Sequence, residues 1–188
     1  MVMPFCWCGG EYTIAARDRK SRWDFAYKMG YAGTFYSLSR ESKIMKQTEI
    51  KLPEIKIVGI AVRTNNAAEF SGTGAKISLT VKAYADQGAA GKIAHRVEPG
   101  TTYSGFTDYE SDHNGMYTYF IGERVSSFDD LPKGFSAITI PAQTYAKFTN
   151  GPGAMPGVCI AVWQRVWGSS PKDLGGQRGY VADFEIYD

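Results

Sequence analysis

Cysteine is scarce: Cys6, Cys8 and Cys159 are too few for the disulfide framework of a small secreted domain. Cys6-Trp7-Cys8 has one intervening residue and no second ligand pair, so it reads as incidental thiols rather than a metal knuckle. Histidine is scarcer still. His95 and His113 stand in different regions, with no third ligand at metal spacing and no serine or cysteine elbow nearby, which argues against zinc and triad chemistry. Charge of one sign is also missing: the net charge is +2, and residues 45 to 188 hold 14 basic against 15 acidic side chains. Without the basic stripe that phosphate backbones need, direct contact with nucleic acid is not expected. No apolar run approaches a membrane span, and the N-terminus lacks the charged-then-apolar order of a signal peptide. A cytoplasmic protein with no membrane partner is the expectation. Gly151-Pro152-Gly153 contains proline and lacks a following Lys-Ser/Thr pair, so there is no phosphate-cradling loop, and no cofactor is expected.

Aromatic residues, by contrast, are abundant, making up 14% of 188 residues with tyrosine and phenylalanine dominant. Such rings fill cores, but tyrosine also lines pockets, since it joins an apolar body to a polar tip. The length suits one domain plus an extension. Residues 1 to 44 carry 7 basic and 4 acidic side chains and no sustained period beyond a candidate short helix near Asp18 to Met29. They read as an N-terminal extension. Met45-Lys46-Gln47 resembles a natural start, which would make the first 44 residues upstream or disordered sequence; the alternative is an arm packed on the domain or on a second subunit.

From Glu49 onward the pattern is regular. Ile55 to Arg63 reads as a strand, and Ile77, Leu79, Val81, Tyr84 and Ala85 recur at near-helical spacing. Pro99-Gly100 turns into a strand from Thr102, and Asn114-Gly115 signals a hairpin that returns through Tyr117, Tyr119 and Ile121. Ala137 to Phe148 is a strand interrupted at Pro141, and Val158 to Trp167 is a helix whose stripe is Cys159, Val162, Trp163 and Val166. Thr149-Asn150 ends its strand as Thr64-Asn65 ends the first, 85 residues earlier. Two strand-helix-strand units imply an α+β sandwich with pseudo-two-fold symmetry: antiparallel sheet, helices on one face, and a ligand cleft on the uncovered face or in the groove between halves.

The closing run Gly179 to Asp188 is the most informative. Strand alternation puts Phe184 and Ile186 on one side and Asp183, Glu185 and Tyr187 on the other. If helices cover the apolar side, Glu185 is left on the opposite face. Read alone, Glu185 fits an ordinary solvated carboxylate on an open sheet, as Asp108, Glu110 and Asp112 around the hairpin turn also do.

A resemblance changes that reading. YESDHNGMYTYFIGERV (109 to 125), IPAQTYAKFTNG (140 to 151), VWQRVWGSSP (162 to 171) and DFEIYD (183 to 188) together resemble the AraC-type effector-binding, or gyrase-inhibitor-like, small-molecule-binding domain. They are most similar to its stand-alone, integron-associated members, over about residues 45 to 188. The resemblance implies the same fold and places the family's pocket glutamate at Glu185, beside Tyr187. Tyr145, Tyr119, Tyr117 and Tyr109 are the expected aromatic walls, some of them plain cross-strand packing. Trp167 is a pocket candidate, whereas Trp163 lies on the helix stripe and reads first as core. A carboxylate among rings suits lipophilic cations. The expected partner is therefore an amphipathic, cationic small molecule. The resemblance also carries two alternatives: hydrolysis of strained electrophiles such as cyclopropanoids with Glu185 as general base, and inhibition of DNA gyrase. A role in transcription would need a separate DNA-binding partner, since no reader is fused in this sequence; a homodimer is a further expectation.

Overall fold

The computed structural model describes residues 14–18, 46–71, 74–149 and 157–187. Cys6, Cys8, most of the helix expected near residues 18 to 29 and the loop at residues 152 to 156 lie outside them. Among the described residues, eight strands form one antiparallel sheet: β1 (Ile14–Asp18), β2 (Lys46–Leu52), β3 (Ile55–Thr64), β4 (Thr102–Thr107), β5 (Tyr117–Val125), β6 (Ser136–Ile140), β7 (Gln143–Thr149) and β8 (Gln177–Tyr187). The helices are α1 (Asn66–Ser71), α2 (Ile77–Asp86) and α3 (Gly157–Gly168), with a short 3-10 turn at Ala89–Lys92. This is the α+β class that the sequence implies. It adds α1 directly after β3, where Asn65 Oδ1 accepts the Ala68 amide as an N-cap.

Strand order across the sheet is β2-β7-β1-β8-β4-β5-β3-β6. Read inward from each edge, the two halves match. A short edge strand, β2 or β6, is followed in sequence by a strand of the other half, β3 or β7, and the halves meet where β4 pairs with β8. β1 occupies the place that β5 holds in the other half, paired with both β7 and β8.

The connections force curvature. β2 is at one edge and β3 is next to the other, yet only Pro53 and Glu54 separate them; Pro141 and Ala142 join β6 to β7 in the same way. Three peptide steps reach about 11 Å at most, whereas six strand spacings on a flat sheet would need about 29 Å. The sheet therefore curls until its edges approach. Its inner face is a closed apolar core of Ile55, Ile57, Tyr103, Phe120, Ile138, Ile140, Tyr145 and Phe184, with Ile50 and Leu52 from the far edge packed on it. The outer face carries the helices. Tyr84 of α2 packs with Val58, Tyr117, Tyr119 and Ile121, while Val162, Trp163 and Val166 of α3 pack with Ala146 and Phe148.

Candidate functional site

Strand alternation on β8 holds as the sequence implies, with Phe184 inward and Asp183 and Glu185 outward. The expectation that Glu185 lies opposite the helices is reversed. The inner face closes on itself through the curl and needs no helix, so the polar face of β8 is the one that α3 covers. Glu185 stands at the seam where β8 of one half pairs with β4 of the other, against Trp163 of α3.

Glu185 is 6% exposed. The Trp163 indole Nε1–H donates to its Oε1 at 2.5 Å, and the Tyr187 hydroxyl donates to its Oε2. Tyr187 in turn lies 3.4 Å from the Cys159 thiol on α3. Burial pushes the Glu185 carboxyl above the ordinary carboxylate range, and the bonds from Tyr187 and Trp163 pull it partly back. Burial and the Glu185 charge raise the Tyr187 phenol, which stays protonated and able to donate. The helix stripe that makes Trp163 look like core is thus also what aims its one polar atom at the carboxylate.

The strand opposite completes the walls. Ser104 is the cross-strand partner of Glu185, and its hydroxyl lies 2.9 Å from that of Tyr119, which is 3% exposed. Phe106 is the aromatic hub. Its ring meets Trp163 at 5.4 Å, Tyr117 at 5.2 Å and Tyr119 at 5.7 Å between centroids. Trp167 stacks on Trp163 one turn along α3 and on His113 from the hairpin loop, each at 6.3 Å. Tyr109 packs on Tyr117 and donates to Asp183 Oδ2 at 2.7 Å.

Of the eight side chains singled out from sequence, Glu185, Tyr187, Trp163, Trp167, Tyr119, Tyr117 and Tyr109 come together on the outer face. Tyr145 does not. It points into the inner core, fully buried, edge-on to Phe184 and donating to the Pro141 carbonyl at 2.8 Å. Register explains the difference: Tyr145 shares a face with Ile50, its partner on β2, and therefore with the curl's interior.

Sequence reasoning missed Phe106, Ser104, His113, Tyr180 and Arg178. Counting register from Glu185 across β4 would have found Ser104 and Phe106. Nothing local marks Tyr180, which takes a positive φ of 47° where the pairing of β1 with β8 shifts register. That bend sets its ring against Tyr109, His113 and Arg178.

No group of three or more His, Cys, Asp or Glu side chains with metal-binding geometry occurs among the described residues. None of their helices is long and apolar enough to cross a membrane. The arrangement is a buried carboxylate, its proton held more tightly than usual, set in aromatic walls.

A family model described as integron-associated effector binding protein matches residues 50–188. The chain belongs to this family of effector binding proteins. Its structure resembles the crystal structure of an integron cassette protein from the mobile metagenome of Vibrio cholerae, with a TM-score of 0.63 and 25% identity, over 79% of this chain and 92% of that one. YobU of Bacillus subtilis (strain 168), described as a transcriptional regulator protein, is 26% identical to this effector binding protein over 133 residues, 71% of this chain and 81% of the relative. The structure of SAV2435 bound to tetraphenylphosphonium shares the fold at a TM-score of 0.55 and 16% identity, covering 76% of this chain and 92% of that one. The domain is thus related to the ligand-binding domains of transcription regulators.

Proposed function

We propose that this effector binding protein captures amphipathic, cationic small molecules in the groove beside Glu185. The observation that carries the reading is a carboxylate only 6% exposed, gripped by Trp163 and Tyr187 and ringed by Phe106, Tyr119 and Trp167. An apolar ligand body replaces water on the rings, ring faces attract its positive charge, and the carboxylate neutralises it. Tolerance for many such compounds follows from that division of labour, because flat rings and one charge specify little else. That SAV2435 was solved with tetraphenylphosphonium makes this cation the natural first probe. Calorimetric titration of wild type and Glu185→Gln with it is the test: a loss of about ten-fold or more in affinity supports the role, and equal affinities remove it.

A second reading rests on the same pair. A buried carboxylate bonded to a tyrosine hydroxyl can take a proton from water attacking a strained electrophile. Turnover of a cyclopropanoid substrate, abolished in Glu185→Gln, would establish it. Coupling to transcription through a separate DNA-binding protein, to DNA gyrase or to a second copy of the chain is a proposal of partners, tested by co-purification with each.

A further inference from the structure

Arg178 sits at the far end of the aromatic wall from Tyr187, and its side chain is only 7% exposed. Its Nη2 donates to Asp183 Oδ2 at 2.5 Å, and its guanidinium lies over the Tyr180 ring at 4.4 Å. Nε and Nη1 are buried and have no hydrogen-bond partner among the described residues. That leaves one N–H on Nε and two on Nη1. Buried donors of a charged group left unmet are costly, and folded proteins rarely tolerate them without a reason.

The setting suggests the reason. Asp183 and Glu185 project from the same face of β8, two residues or about 6.6 Å apart, and Phe106, the cross-strand partner of Asp183, touches Trp163, the donor to Glu185. Arg178 is thus joined through Asp183 to the face of β8 that also carries the Glu185 carboxylate. Among the described residues, the acidic groups facing it are Asp183 and, through phenols only, Tyr109 and Tyr180.

We infer that Arg178 is a second ligand-binding residue, which donates to an uncharged acceptor oxygen, of ketone or amide type, on the effector. The preference for a neutral acceptor follows from Asp183, which already balances the guanidinium: another full negative charge would be repelled by that carboxylate, whereas a carbonyl dipole meets the open N–H groups at no such cost. The inference rests on the groove beside Glu185 being the effector site. It refines the effector class to an aromatic cation that carries a carbonyl roughly a ring's length from its charge.

Three triphenylphosphonium probes test it by calorimetry, the fourth aryl group bearing para-acetyl, para-isopropenyl or para-carboxylate. The first two differ only in the carbonyl oxygen. Wild type should bind the acetyl probe about ten-fold tighter than the isopropenyl probe. In Arg178→Lys, which keeps a cation opposite Asp183 but has no fork, that ratio should fall towards one while isopropenyl affinity and the melting temperature hold. Equal affinities in wild type overturn the inference; tightest binding of the carboxylate probe overturns the neutral-acceptor class. The wild-type ratio decides even if Arg178→Lys does not fold. Glu185→Gln should weaken all three probes by a similar factor. If it weakens none, the Glu185 reading fails by itself, and the acetyl-to-isopropenyl ratio still reports on Arg178.

Discussion

The carboxylate of Glu185 receives these two hydrogen bonds from neutral donors, an indole and a phenol, and no cation among the described residues is paired with it. Two predictions follow from the sign of that balance. Because burial raises the folded carboxyl above its unfolded value, the folded state holds the proton more tightly, and this group's contribution to stability is fully present below the unfolded carboxylate range. It is lost as pH rises through the folded value. Glu185→Gln should therefore melt higher than wild type at neutral pH and lose that advantage on acidification, which a series of thermal melts against pH would check. Cation binding runs the other way, since only the ionised form attracts the ligand: affinity for tetraphenylphosphonium should climb across the same window. Trp163→Phe keeps the ring but removes a bond that stabilises the anion, so it should shift the midpoint of that climb to higher pH. A midpoint that does not move would show that the indole N–H has no hold on the charge.

β4 and β8 form the seam on which these side chains stand, and the seam depends on a bare backbone position. A Cβ added at Gly105 would lie 2.4 Å from the Asp183 carbonyl oxygen and 2.7 Å from the Phe184 Cβ. Gly105→Ala should therefore push the two strands apart at the pair that flanks Asp183 and Glu185, destabilising by about 2–3 kcal/mol, measurable as a lower urea midpoint with an unchanged slope. Phe184→Ala acts from the inner face of the same strand. It empties a fully buried site between Tyr103 and Tyr145, at a cost of about 3–5 kcal/mol. Because Phe184 faces away from the groove, enough folded variant at low temperature should still bind tetraphenylphosphonium with near wild-type affinity. A large loss of affinity in that variant would mean that the two faces of β8 are mechanically coupled.

For the molecule as a unit, the pseudo-two-fold arrangement gives β1 a definite part: it supplies to one half the central strand that β5 supplies to the other. Removing residues 1 to 44 should leave the facing edges of β7 and β8 without those bonds, lower the melting temperature and speed amide exchange at Ala182 to Phe184, the stretch beside Ile14 and Ala15. Unchanged exchange there would mean that β8 finds its pairing elsewhere. How much of this was readable beforehand divides along the range of the interactions. Alternation along the closing run, the stripe Val162-Trp163-Val166 and the 85-residue echo are local or repeated patterns, and they sufficed for the α+β class, the duplication and the polar side of β8, because side-chain direction within one element depends only on backbone period. They could not tell which side of that strand the helices would cover, since this follows from two-residue links between distant strands that curl the sheet inward. Nor could they separate Tyr145 from Tyr119 or bring Arg178 to Asp183: which face a ring shares, and which charge it meets, is decided only when register and curvature bring residues far apart in the chain onto one surface.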